Sequence, residues 1–178
     1  MDKKSYALIE KYALPFVQLT LEKGQGDQVF GLLEQMKSIC QETQLPDFLT
    51  KLGPTKEEKA KCLRLFQPTG SQLVDNLLNV LIENDREDLF YPILVDSLSK
   101  LEKISNEFQV TLKSSRALSE QQKDRLAPIL EEKMGLKVRS FKEELDPSLI
   151  GGFVVTANNK TIDASIKHQL QRVKENLK

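Results

Sequence analysis

At about Ser105 the spacing of apolar residues changes from roughly 3.6 to roughly 2, and this switch constrains the fold more than any other feature of the chain. Before it, from Lys4 onward, apolar residues recur at three- and four-residue steps broken by short stop signals, the pattern of several packed helices. After it, alternating segments flank a helical one. The expected class is α+β with two domains: a six-helix bundle over 1–105, then a small α/β domain over 106–178.

The first helix runs to about Glu22 and stops at Gly24 and Gly26. The second starts near Asp27 and carries Val29, Leu32, Leu33, Met36, Ile39 and Cys40 on one side. A short third spans "LPDFLTKL", with Pro46 in its first turn and Gly53 as C-terminal cap. The fourth opens at Thr55 with Glu58 completing a capping box. The fifth begins near Ser71. "ENDRED" separates it from a sixth, with Leu89, Ile93, Leu94, Leu98, Leu101 and Ile104 expected to face inward.

In the second domain "EFQVTLKSS" and "LKVRSFKEEL" read as strands. Between them lies a helix capped by Ser119, with Gln122 at the capping-box position, and ended by Gly135. A hairpin turning at Asn158–Asn159 follows, then a last helix with Ile166, Leu170, Val173 and Leu177 on one face.

Charge and composition remove several functions. The 26 Lys and Arg balance 26 Asp and Glu, leaving no basic field for nucleic acid or anionic lipid. No apolar run approaches the roughly 20 residues that span a bilayer. Cys40 and Cys62 form no CxxC pair and read as reduced core residues. The single histidine, His168, has no ligand or triad partner at a useful spacing, so neither a metal site nor a catalytic residue is expected.

Gly151 and Gly152 superficially suggest a phosphate loop. A phosphate-binding loop needs G-x-x-x-x-G-K-[ST] ahead of a helix, whereas here "GGFVV" runs into a strand. The glycines instead permit a bend, a bulge or a close approach of backbones where a central strand begins.

Two helices carry more apolar surface than one buried stripe requires. The first sets Tyr6, Ile9, Ala13, Phe16 and Val17 on one side and Leu8, Tyr12, Pro15 and Leu19 on another. The fifth has Leu73, Leu77 and Leu81, a second stripe of Val74, Leu78 and Ile82, and Val80 besides. Such helices are either central in their bundle or line a groove for another protein's amphipathic helix.

"DPSLIGGFVV" followed by "TIDASIKHQLQRVKENL" resembles the C-terminal signature of the δ subunit of bacterial F-type ATP synthase and its mitochondrial homologue, the oligomycin-sensitivity-conferring protein. "YALPF", "NLLNVLIENDR" and "SSRALSEQQ" extend the resemblance over almost the whole chain. Pro15 departs from it, standing where the family usually has alanine.

The resemblance implies a non-catalytic stator subunit without a cofactor, present in one copy and monomeric alone. It would lie at the cytoplasmic face of the cell membrane, held there only through partners, and couple proton flow to ATP synthesis. It also implies that the bundle binds an N-terminal helix of an α subunit through Tyr12, Ala13, Pro15 and Phe16 on the first helix and Asn76, Leu77, Val80 and Leu81 on the fifth. The second domain would bind the b subunits, with Gly151, Gly152, Phe153, Asp163 and Ser165 making the contact or shaping the domain. The alternative is a cytosolic helical adaptor for an unrelated amphipathic helix.

Overall fold

In a computed structural model, which describes residues 3–176, the chain divides into two compact units, Met1–Ser105 and Asn106–Lys178. Leu177, expected on the last helix's apolar face, lies outside the described residues.

The first unit contains α1 (Lys3–Glu22), α2 (Gly26–Thr43), α3 (Leu45–Thr50), α4 (Lys56–Arg64), α5 (Gln72–Glu83), a 3-10 turn at Glu87–Leu89 and α6 (Phe90–Ser105). Local chemistry sets several of these ends. The Glu58 amide donates to the Thr55 hydroxyl (3.3 Å) while the Glu58 carboxylate accepts from the Thr55 amide (2.8 Å), closing the capping box at the start of α4. Gln44, at φ 54°, ends α2 and leads into α3, whose first turn holds Pro46.

The expected cap at Gly53 is not used. Lys51 ends α3 in an extended conformation, which any residue adopts, so no left-handed glycine is required there.

The core of this unit gathers on α6, against which α1 and α2 both pack. Phe90, Ile93, Leu94, Leu98 and Leu101 are buried at helical spacing and meet Val17, Leu33, Leu78 and Leu81 in one cluster. Each such side chain contributes roughly 1.5–3 kcal/mol by leaving water. Three residues of the apolar stripes are exposed: Tyr6, Ile39 and Ile104, of which Ile104 was expected to face inward. Tyr6 and Ile104 lie near the far ends of α1 and α6, and Ile39 sits at the edge of the α2 stripe.

The second unit is a four-stranded sheet with helices. Its elements are β1 (Glu107–Ser114), α7 (Glu120–Met134), β2 (Lys137–Leu145), β3 (Phe153–Ala157), β4 (Lys160–Asp163) and α8 (Ile166–Asn176). The strand order is β2-β1-β3-β4; β2 lies parallel to β1, and β3 and β4 are each antiparallel to their neighbour. Phe108, Val110 and Leu112 alternate inward from β1 and meet Leu126, Leu130 and Met134 of α7. Ser119 and Gln122 cap α7 reciprocally, and Gly135 ends it at φ 68°. The β3–β4 hairpin turns on Asn158 and Asn159, both at positive φ, as a two-residue loop matching the strand twist requires.

Candidate interaction surfaces

On the bundle, α1 touches α5. The spacing of Tyr12, Pro15, Phe16 and Leu19 puts them along one side of α1, and Asn76 and Val80 stand one turn apart on α5. Pro15, Leu19, Asn76 and Val80 are exposed, Val80 by 40%, and Tyr12 is half-buried. Gln72 Nε2 donates to Asn76 Oδ1 at 2.8 Å along the exposed side of α5.

Ala13 and Leu81, expected on this face, are instead core residues with 0% exposure. They lie one position inward of the exposed stripe and support it from behind. Phe16 and Leu77 are also buried and present only a margin of side chain.

Pro15 does not end α1, which continues to Glu22. The missing Pro15 N–H deprives the Lys11 carbonyl of its helical partner. Both residues are exposed.

A second apolar surface escaped the sequence reading. Tyr6 and Ile9 of α1 and Tyr91, Pro92 and Val95 of α6 line a cleft of about 440 Å³. Its α1 side was visible as part of the Tyr6 and Ile9 stripe; its α6 side, Tyr91 and Val95, lies one turn apart and off the inward stripe of α6.

In the second unit, Gly151 and Gly152 form a backbone joint. The Ala164 amide donates to the Phe153 carbonyl (2.9 Å) and the Ile166 amide to the Gly151 carbonyl (3.1 Å), so Gly152 sits between two main-chain hydrogen bonds. Gly152 has φ 79°, and a Cβ there would lie 2.4 Å from the Ala164 carbonyl oxygen; one on Gly151 would lie 2.7 Å from Ile166 Cδ1. This is the close approach at a strand entrance that the glycine pair suggested.

Asp163 and Ser165 anchor the joint. Asp163 Oδ1 accepts from the Ser165 amide (2.9 Å), and Ser165 Oγ accepts from the His168 amide (3.2 Å), which caps the first turn of α8. The Ser165 side chain, then its amide, holds the Asp163 carboxyl below its ordinary range, and the charges of His168 and Lys167 add to this. Both residues shape the backbone, and Ser165 is buried.

Beyond this capped start α8 is bare. All its residues from Ile166 to Glu175 are exposed, including the apolar Ile166, Leu170 and Val173, which recur at four and three residues. Ile150 is exposed just ahead of the joint. Phe153 lines an apolar cleft of about 410 Å³ with Leu118, Leu126 and Ile129 of the α7 region. Among the described residues, no three His, Cys, Asp or Glu side chains are grouped to hold a metal ion, and no helix is long and apolar enough to cross a membrane.

Residues 8–177 match the family model described as ATP synthase delta (OSCP) subunit. The chain is 64% identical to ATP synthase subunit delta of Streptococcus sanguinis and 61% identical to that of Streptococcus gordonii, each over 178 residues and the full length of both chains. A chain of the mitochondrial ATP synthase hexamer of Toxoplasma gondii, 20% identical, shares the fold with a TM-score of 0.64 over 96% of this chain and 97% of that one.

Proposed function

The chain belongs to the ATP synthase delta (OSCP) subunit family, and from that premise we propose how it performs the task of a non-catalytic stator subunit, which holds the catalytic head against the turning rotor. Its bundle grips an N-terminal helix of an α subunit along the side of α1 and α5 that exposes Pro15, Asn76 and Val80. Its second unit binds the b subunits through α8 and the segment around Gly151 and Gly152. The chain then reaches the membrane's cytoplasmic face only through the b subunits, and proton flow stays coupled to ATP synthesis because neither contact slips.

The observation that carries this reading is the bareness of α8. An amphipathic helix whose apolar residues all face water is stabilised by a partner, not by its own domain. Stator work needs slow dissociation from packed apolar contacts, and two contacts on one chain each keep the other close while it re-forms.

The test is a titration of the full-length chain with two peptides, the N-terminal helix of an α subunit and the C-terminal segment of a b subunit, followed by NMR. The first peptide is expected to perturb Tyr12, Asn76 and Val80, the second Ile166, Leu170 and Val173. Perturbation of neither set sinks the assignment.

A further inference from the structure

The last helix departs from the charge balance of the chain. The 26 Lys and Arg of the whole sequence are matched by 26 Asp and Glu, yet α8 carries Lys167, Arg172 and Lys174 against Glu175 alone. Three lysines on other helices find a carboxylate about one turn away: Lys37 at Glu34, Lys100 at Asp96 and Lys123 at Glu120. On α8 the Glu175 carboxylate accepts instead from the Gln171 side-chain amide (3.2 Å), and among the described residues neither Lys167 nor Lys174 forms an ion pair. The charge of Lys167 is felt at Asp146 and Asp163. Lys174 lies two turns further along the helix.

These charges are ordered around the apolar stripe of Ile166, Leu170 and Val173. Lys167 and Lys174, seven residues apart, fall on the same edge of the stripe, about 10.5 Å from each other along the axis. A shallow depression of about 450 Å³ on that side is lined by Lys167, Leu170, Gln171, Lys174 and Glu175. Gln169 borders the other edge, with Arg172 behind it. The stripe is therefore cationic along one edge and neutral along the other.

We infer that α8 receives an amphipathic helix from the C-terminal segment of a b subunit that bears carboxylates two turns apart beside its apolar stripe, and that Lys167 and Lys174 set its register. The inference rests on the α8 contact proposed above and gives it a chemistry. Apolar contact is non-directional, so a stripe alone lets a partner helix turn or slide; two charges at fixed spacing select one position and oppose a basic partner. An anionic lipid surface fits less well, because a helix lying flat on it brings both edges of its stripe to headgroup level, and only one edge here borders on lysine.

The test is a titration of the full-length chain with the C-terminal segment of a b subunit, read by fluorescence anisotropy at low and high salt. Lys167→Gln with Lys174→Gln is expected to weaken binding about tenfold and to flatten its salt dependence. Lys174→Gln alone should cost about threefold, and Arg172→Gln, the same charge taken from behind the stripe, less than about twofold. A b segment with Asn and Gln in place of its Asp and Glu should bind wild type as weakly as the double variant binds the native segment, with no further loss when the two are combined.

Binding indifferent to both lysines, equal losses in Lys174→Gln and Arg172→Gln, or losses that add when both partners are neutralised each overturn the inference. Leu170→Glu separates it from the reading beneath it. Binding lost in Leu170→Glu but indifferent to the lysines leaves α8 as the b contact and removes only the charge register; indifference to all of these substitutions removes both. The wild-type chain is expected not to sediment with vesicles of phosphatidylcholine and phosphatidylglycerol. Sedimentation that depends on Lys167 and Lys174, with b binding unchanged in their variants, assigns the lysine edge to lipid and overturns the proposal.

Discussion

A side chain on Gly152 collides with Ala164: its Cβ would stand 2.4 Å from that residue's carbonyl oxygen, at a backbone angle of φ 79°. Gly135 has a similar φ of 68° but open space around it. The two glycines separate backbone strain from collision. Gly135→Ala is expected to cost about 1 kcal/mol and Gly152→Ala about 3 kcal/mol or more, measured by urea denaturation. Equal costs exclude the collision as the reason for Gly152.

Val80 and Leu81 are neighbours in sequence with opposite duties, one exposed and one fully enclosed. Val80→Asp is expected to weaken attachment to the catalytic head while the isolated chain keeps its melting temperature. Leu81→Ala should destabilise the bundle by about 2–5 kcal/mol through the cavity it leaves. An unfolded Val80→Asp variant returns Val80 to the core and removes it from the docking face.

Leu170→Glu probes the bare helix. Because Leu170 is 62% exposed, the substitution should leave the thermal transition of the free chain in place while reducing its binding to b subunits at least tenfold in a pull-down titration. A large drop in melting temperature contradicts the exposure of α8.

Pro15→Ala restores the missing backbone donor on an exposed helix face. It is expected to stabilise the chain by about 1–3 kcal/mol, read as a higher denaturation midpoint. No change indicates that water already serves the Lys11 carbonyl as well as an amide does.

Acid should loosen the second unit. Glu143 is held low by the Lys123 side chain above all, Asp146 by Ser148 and Asp163 by Ser165. A carboxyl group whose folded pKa is depressed adds stability above its ordinary value, here 4.5 for Glu and 3.8 for Asp, and loses it as pH falls through the lower folded value. Stability of residues 106–178 should therefore fall below about pH 4.5, and Asp163→Asn should flatten that fall, both read by thermal melts across pH.

Elements whose chemistry is local were legible in the sequence. Thr55 with Glu58, Ser119 with Gln122, and the Asn158–Asn159 turn each depend on residues within a few positions, so the pattern and the physics coincide. Periodicity gave the stripes of α2 and α6 but not their limits, because Ile39 and Ile104 keep the period where no neighbour covers them. Ala13 and Leu81 were misplaced for the converse reason: one position of rotation divides groove from core, and only packing fixes it. The joint at Gly152 was half visible, since its glycines are in the sequence but Ala164, the backbone they admit, is twelve residues away.

The root of α8 has a mechanical consequence. Asp163, Ser165 and the main-chain bonds to Gly151 and Phe153 clamp one end of a helix whose remaining length is bare. It is a cantilever, fixed at its base and free along its shaft. A sideways load on the shaft concentrates at the clamp, so the part of this unit that must not yield is the few residues of its backbone weld.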